Sequence, residues 1–217
     1  MRIARLLLLF LSLLILLTGC RRRSDVFVIA LGDNIRTIDP IGSPSVDAAS
    51  ERVRTLIFNS LVKKNEKFDY VGELASDIAR SADGTVYTFT LHDNVKFHDG
   101  RPLSSADVKY TLDLVFSSSF AKSASFYEGV GDSKHSYIMS VEAPDQKTVV
   151  VTLTKPWVGL LSNLVPVAII PKDSYESEKT HPVGTGPFKF VRYDNAQQVV
   201  DVEACSGYWD GASKIPT

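Results

Sequence analysis

The chain has 217 residues, 44% of them hydrophobic and 23% charged, proportions of a globular protein rather than a disordered one. Length alone allows one or two domains. The 24 basic and 25 acidic residues nearly cancel, so charge gives no reason to expect nucleic acid as a partner.

Arg2 and Arg5 open the chain, and Leu6 to Leu17 follow as an apolar run broken only by Ser12. A basic start before a short greasy core is the pattern of a secretory signal. A bilayer-spanning helix needs about 20 apolar residues, which disfavours the alternative, a permanent anchor helix. The run exits through "LTGC", Leu17 to Cys20. This resembles the lipobox of bacterial lipoproteins. The resemblance implies a signal peptide over 1–19 and acylation of Cys20, which becomes the mature N-terminus. Several acyl chains hold a protein to a membrane where one anchors only marginally. Loss of Arg2 and Arg5 from the 24 basic residues leaves 22 against 25 acidic, a net of −3. Arg21, Arg22 and Arg23 would then lie at the lipid surface, where they suit anionic headgroups. With Cys20 lipidated, Cys205 is alone, so no internal disulfide or thiolate cluster can form.

In the mature chain, "DVFVIAL" (Asp25 to Leu31) is β-branched and apolar and predicts a strand. "GDNIRTIDPIGSPS" reads as an extended loop. Val46, Ala49, Val53, Leu56 and Ile57 recur at helical spacing, with Arg52 and Arg54 off the stripe and Ser45 or Asp47 as N-cap. "VYTFTL" (Val86 to Leu91) alternates as a half-buried strand after the Asp83-Gly84 turn. "YIMSVEA" and "TVVVTLT" predict two strands around Pro144-Asp145. "VPVAII" predicts a buried strand, and "FKFVRYDNAQQVVDVEA" a hairpin turning at Asp194-Asn195. Strands mixed with single helices indicate an α/β class of the mixed α+β kind.

"VKFHDGRPLSSADV" (Val95 to Val108) carries residue types of a hydrolytic site. Yet Ser104 and Asp107 form an S-x-x-D capping box before the apolar stripe Val108, Leu112, Val115 and Phe116. Asp99-Gly100 makes the preceding turn. His98 and Asp99 are sequence neighbours whose side chains diverge, and no G-x-S-x-G elbow exposes a serine. An enzyme is therefore not expected. "HDNVKFHDG" has two His-Asp pairs, but neither has the spacing of a metal-binding helix, and no metal or other cofactor is expected. "HPVGTGPFKF" lacks the lysine and helix of a phosphate loop, so Gly184 and Gly186 are assigned to a tight turn with positive backbone angles.

These pieces together resemble the extracellular solute-binding proteins of family 5, the oligopeptide and dipeptide ABC transporter class. The motifs are "TIDP" (Thr37 to Pro40), "LIFNSLV" (Leu56 to Val62), the block Glu73 to Leu112, "VGTGPFKF" (Val183 to Phe190) and "GYWDG" (Gly207 to Gly211). Where the family often has asparagine before "YW", this chain has Cys205 or Ser206. The resemblance implies a two-lobed periplasmic-binding-protein type II-like fold, of which 20–217 would be the N-terminal lobe, stopping before the second lobe and the return segment. It implies capture of a peptide by a lipid-anchored protein outside the cytoplasmic membrane, and delivery to ABC permease subunits. The loop after "TIDP", Gly42, Ser43, Pro44, Ser45 and Val46, would contribute the first-lobe ligand contacts. Nickel complexes, haem or oligosaccharides are alternative cargoes of the same fold. A truncated or split gene product is the alternative outside transport.

Overall fold

A four-stranded antiparallel sheet built from two hairpins carries the largest part of the core. The computed structural model describes residues 26–43 and 47–211. Strands β1 (Val62–Lys64) and β2 (Tyr70–Gly72) form a small hairpin; β3 (Ala75–Arg80) and β4 (Val86–Leu91) form the first hairpin of the main sheet. After helix α1 (Ala48–Ile57), which precedes them, the main helix is α2 (Ser105–Ser117). The short strands β5 (Tyr127–Glu128) and β6 (His135–Ser136) pair with each other, and β7 (Ile138–Glu142) and β8 (Thr148–Leu153) form the second hairpin of the main sheet, joined through β8 to β4 in the order β3-β4-β8-β7. Helical turns α3 (Leu160–Leu164) and α4 (Tyr175–Glu178) lead to the hairpin β9 (Phe188–Asp194) and β10 (Val199–Ala204). All described ladders are antiparallel, so the mixed α+β class stands.

Alternation does the work in this sheet. Tyr87, Phe89 and Leu91 of β4 and Val149, Val151 and Leu153 of β8 are buried, with Phe89 opposite Val149 and Tyr87 opposite Val151. Helix α2 packs its Val108, Leu112, Val115 and Phe116 stripe on β7 and β8, as its spacing predicts. Its start is fixed by Asp107, whose Oδ2 accepts the Ser104 amide and hydroxyl, both at 2.8 Å. Asp107 Oδ1 also accepts the Lys172 amide at 2.8 Å, so the capping residue ties a distant segment to the helix.

Three readings change, and one of two candidate helix caps is selected. The Asp25 to Leu31 strand has no ladder partner among the described residues; Val26 to Ile29 is exposed, and extended backbone without a partner makes no strand. Chain packing places Val26–Ile29 in a unit apart from Ala30 onward. "VPVAII" is buried as expected but is a connector with one bridge, Ser60 to Ala168. Its Ile170 amide is satisfied by the Thr111 hydroxyl at 3.1 Å rather than by a neighbouring strand. Helix α1 is capped by Asp47, whose Oδ1 accepts the Ser50 amide at 2.8 Å. Arg54, placed off its apolar stripe, is buried, because Glu51 at 2.7 Å and the Ser60 hydroxyl at 3.4 Å receive it.

Candidate functional site

The loop Arg36 to Ser43 is pinned at the amides of Arg36, Thr37, Asp39, Ile41 and Gly42 and at the Pro40 carbonyl. The Ser50 hydroxyl, one turn into α1, accepts the amides of Arg36 at 3.1 Å and Thr37 at 3.2 Å. Thr37 Oγ1 accepts the Asp39 amide at 2.9 Å. Asp39 Oδ1 accepts the amides of Ile41 at 2.9 Å and Gly42 at 2.8 Å, an Asx turn that an aspartate before proline favours. Its Oδ2 accepts the Tyr175 hydroxyl at 3.1 Å. Burial, with the Asp39 carboxylate adding to it, holds the Tyr175 phenol well above its ordinary value, so it remains a donor. Lys122 donates to the Pro40 carbonyl at 2.8 Å. A Cβ on Gly42 would sit 1.7 Å from the Tyr175 hydroxyl oxygen, so a side chain there would have to displace Tyr175 from Asp39.

Of the sequence-predicted ligand residues, Gly42 is held by Asp39 within this loop and Ser43 is buried. Pro44, Ser45 and Val46 lie outside the described residues, as does Cys20. On its other side the loop borders an open groove of about 530 Å³. Arg36 and Ile38 form one wall; Lys179, His181, Phe190 and Tyr193 form the other. A pocket of about 10 Å³ between loop and α1 has room for about one water.

The remaining motifs converge on Asn59. Its Oδ1 accepts the Thr185 hydroxyl at 3.1 Å and the Trp209 indole N–H at 3.2 Å. Its Nδ2 donates to Glu73 Oε1 at 3.1 Å and to the Tyr208 oxygen at 3.2 Å. Both acceptor sites and both donors of the amide are used. Thus "LIFNSLV", "VGTGPFKF", "GYWDG" and the Glu73 block meet at one side chain. Burial pushes the Glu73 carboxyl above its ordinary value, against hydrogen bonds from the Ser60 amide and Asn59.

The histidines of "HDNVKFHDG" have structural partners. His92 lies against Trp209, ring centroids 5.1 Å apart. His98 bridges to the Gly184 to Gly186 turn, and burial lowers its pKa. That turn corrects an expectation. Neither Gly184 nor Gly186 has a positive φ. Both are required by close approach instead: their Cβ atoms would fall 2.0 and 2.7 Å from the Ile57 carbonyl oxygen, which the Gly186 amide bonds at 2.8 Å. No group of three His, Cys, Asp or Glu side chains suited to a metal ion is present among the described residues.

Three buried charges escaped the sequence reading. Lys122 reaches Glu51 at 2.9 Å; burial, with Arg54 adding to it, lowers its pKa to about 8. Glu178 accepts the Val183 amide at 2.7 Å, and burial raises it to about 7. Arg54 is the third. None lies on a periodic stripe, so only a tertiary partner reveals it.

The family of bacterial extracellular solute-binding proteins, family 5 Middle, matches residues 69–217, and the chain belongs to it. It is 33% identical over 189 residues to the glutathione-binding protein GsiB of Pectobacterium atrosepticum, covering 84% of this chain and 35% of that protein. Among solved structures it resembles NikZ of Campylobacter jejuni in complex with Ni(L-His), at TM-score 0.75 and 30% identity, covering 88% of this chain and 38% of that one. It also resembles the oligopeptide-binding protein AppA of Bacillus subtilis in complex with a nonapeptide, at TM-score 0.67 and 27% identity, covering 79% and 35%. The chain thus spans about a third of the length of these relatives. They include substrate-binding proteins for glutathione, a nickel complex and peptide.

Proposed function

We propose that the chain supplies the first-lobe wall of a substrate-binding lipoprotein that captures peptides outside the cytoplasmic membrane and delivers them to ABC permease subunits. The observation that carries this reading is the loop leading into Gly42, held by Ser50, Asp39, Tyr175 and Lys122. Peptides are bound largely through main-chain hydrogen bonds, which need a preset backbone edge and tolerate varied side chains. Gly42 to Val46 is that edge in this reading, and a hinge motion brings a second lobe onto it. Acylated Cys20 holds the protein at the membrane.

The likeness to NikZ supports a second cargo, a nickel–amino acid complex. Isothermal titration of the full-length protein against di- to pentapeptides and against nickel–histidine separates the two. Micromolar or tighter peptide binding that is lost in Gly42→Val supports peptide capture. Binding of nickel–histidine alone replaces it with the second reading.

A further inference from the structure

Ser50 and Asp39 accept loop N–H groups, whereas Lys122 supplies a donor to a loop carbonyl. Lys122 lies on the 3₁₀ segment Ala121–Phe126 and is 5% exposed. Its Nζ donates to Pro40 O at 2.8 Å and to Glu51 Oε1 at 2.9 Å. The other Glu51 oxygen takes Arg54 Nε at 2.7 Å. One carboxylate on α1 is therefore shared by two buried cations, with Asp39 on the loop as the second nearby anion. An apolar side chain would fill the same space without desolvating a charge. It would leave the Pro40 carbonyl without this donor.

We propose that Lys122 is a positioning residue for the ligand loop: its protonated ammonium clamps the Pro40 carbonyl to Glu51 and sets the course of the backbone into Gly42. That the loop faces a ligand rests on the peptide-capture reading; the clamp itself does not.

The clamp has a pH signature. Burial first, then Arg54, lowers Lys122 to about 8, while Glu51 and Asp39 oppose the shift. Above that pH the amine loses its ion pair with Glu51 and donates more weakly to Pro40, while Arg54 still neutralises Glu51. The folded value lies below the ordinary 10.5, so between the two the unfolded chain binds more protons. This group therefore makes global stability rise with pH in that window. The loop loosens while the fold does not, which a lysine serving only stability would not produce.

Amide NMR and hydrogen exchange on the full chain, across about pH 7 to 9, test this. The Ile41 and Gly42 amides should titrate with a midpoint at about 8. They should lose protection about tenfold across it, the scale of one charge-assisted hydrogen bond, after correction for intrinsic rates. Core amides of Phe89 and Val151 should keep theirs. Lys122→Met should show the alkaline loop behaviour already at pH 7 and no titration. Wild-type loop amides that do not move overturn the proposal, as does a Lys122→Met protein with wild-type loop protection. If that variant does not fold, the wild-type titration decides alone. Absence of peptide binding with an intact loop titration sinks the peptide reading and leaves the clamp standing.

Discussion

His98 donates its Nε2 proton to the Gly186 carbonyl at 2.9 Å while its Nδ1 accepts the Gly184 amide at 3.3 Å. An amide can only donate, so the neutral imidazole with hydrogen on Nε2 is the form that satisfies both. A second proton on Nδ1 would face an N–H. Burial is the main cause of the lowered pKa, the Gly186 bond opposing it and Lys189 adding to it. With the folded value below the ordinary 6.5, the unfolded chain binds more protons, so stability present above pH 6.5 is lost as pH falls through the folded value. His98→Ala should cost about 1–3 kcal/mol by orphaning two buried backbone groups. Urea unfolding at several pH values checks this: the variant should lose stability less steeply below pH 6.5 than wild type. An unchanged midpoint would remove His98 from the framework.

The partner of that bond is equally constrained. A Cβ at Gly186 would lie 2.6 Å from the Ile57 carbonyl carbon and the Leu56 oxygen, both backbone. Gly186→Ala should therefore destabilise by about 1–3 kcal/mol through overpacking. Gly207→Ala, with open space at its Cβ, serves as the control and should change the melting temperature little. Equal melting of the two variants would contradict the close-approach account.

The contrast between these glycines shows where sequence reasoning stops. Gly184 and Gly186 are visible as a turn, but their reason is contact with the end of α1, more than a hundred residues away, and no local pattern encodes that. The Val108 to Phe116 stripe and the Tyr87, Phe89, Leu91 alternation are legible because burial of one face repeats at the helix or strand period. "VPVAII" has strand-like composition, yet its amides are taken by Thr111 and the Asn59 carbonyl, so its shape depends on what surrounds it. The loop after "TIDP" is legible as a loop with an Asx turn. Its buttressing by Lys122 and Tyr175 is not, because both come from elements far along the chain.

Glu178 is a buried carboxyl with two donors. Ser174 Oγ lies 2.7 Å from the Pro171 carbonyl and 3.0 Å from Glu178 Oε1, and its hydroxyl can donate to either acceptor. The Val183 amide donates to Oε2 at 2.7 Å. Burial outweighs both bonds and raises the pKa to about 7. A folded value above the ordinary 4.5 makes the folded chain bind more protons between the two. The contribution is fully present below pH 4.5 and is lost as pH rises through about 7. Glu178→Gln mimics the protonated form, donating to Ser174 and accepting from Val183. It should match wild type at acidic pH and exceed it above pH 7, in thermal melts across that range. A variant weaker than wild type at alkaline pH would mean the carboxylate form is the one stabilised.

Cys20 supplies a prediction of a different kind. The charged start, the Leu6 to Leu17 core and "LTGC" lead to acylation there. In a bacterial host, wild-type protein should take up radiolabelled palmitate and partition with membranes. Cys20→Ala should remain as uncleaved, unlabelled precursor. Equal labelling of both would place any lipid elsewhere.

Asn59 carries the most demanding test of how the motifs are joined. Trp209 Nε1 can only donate and lies 3.2 Å from Oδ1, while Glu73 lies 3.1 Å from Nδ2, so the amide orientation is fixed by its partners. Asn59→Asp keeps the shape and reverses one half of the chemistry. An oxygen would replace the donor facing Glu73, setting a buried carboxyl against the half-buried Glu73 carboxyl. One of them must take a proton, and the pair becomes more costly as pH rises and that proton is lost. Asn59→Asp should cost about 3 kcal/mol or more at neutral pH and less under mild acid. Asn59→Ala, which adds no charge, should lose stability with no such pH slope. Trp209 emission followed through urea unfolding reads the junction directly. If the aspartate variant is as stable as wild type at neutral pH, or is destabilised equally at every pH, then Glu73 does not face the Asn59 amide and the convergence of the motifs on that side chain is incorrect.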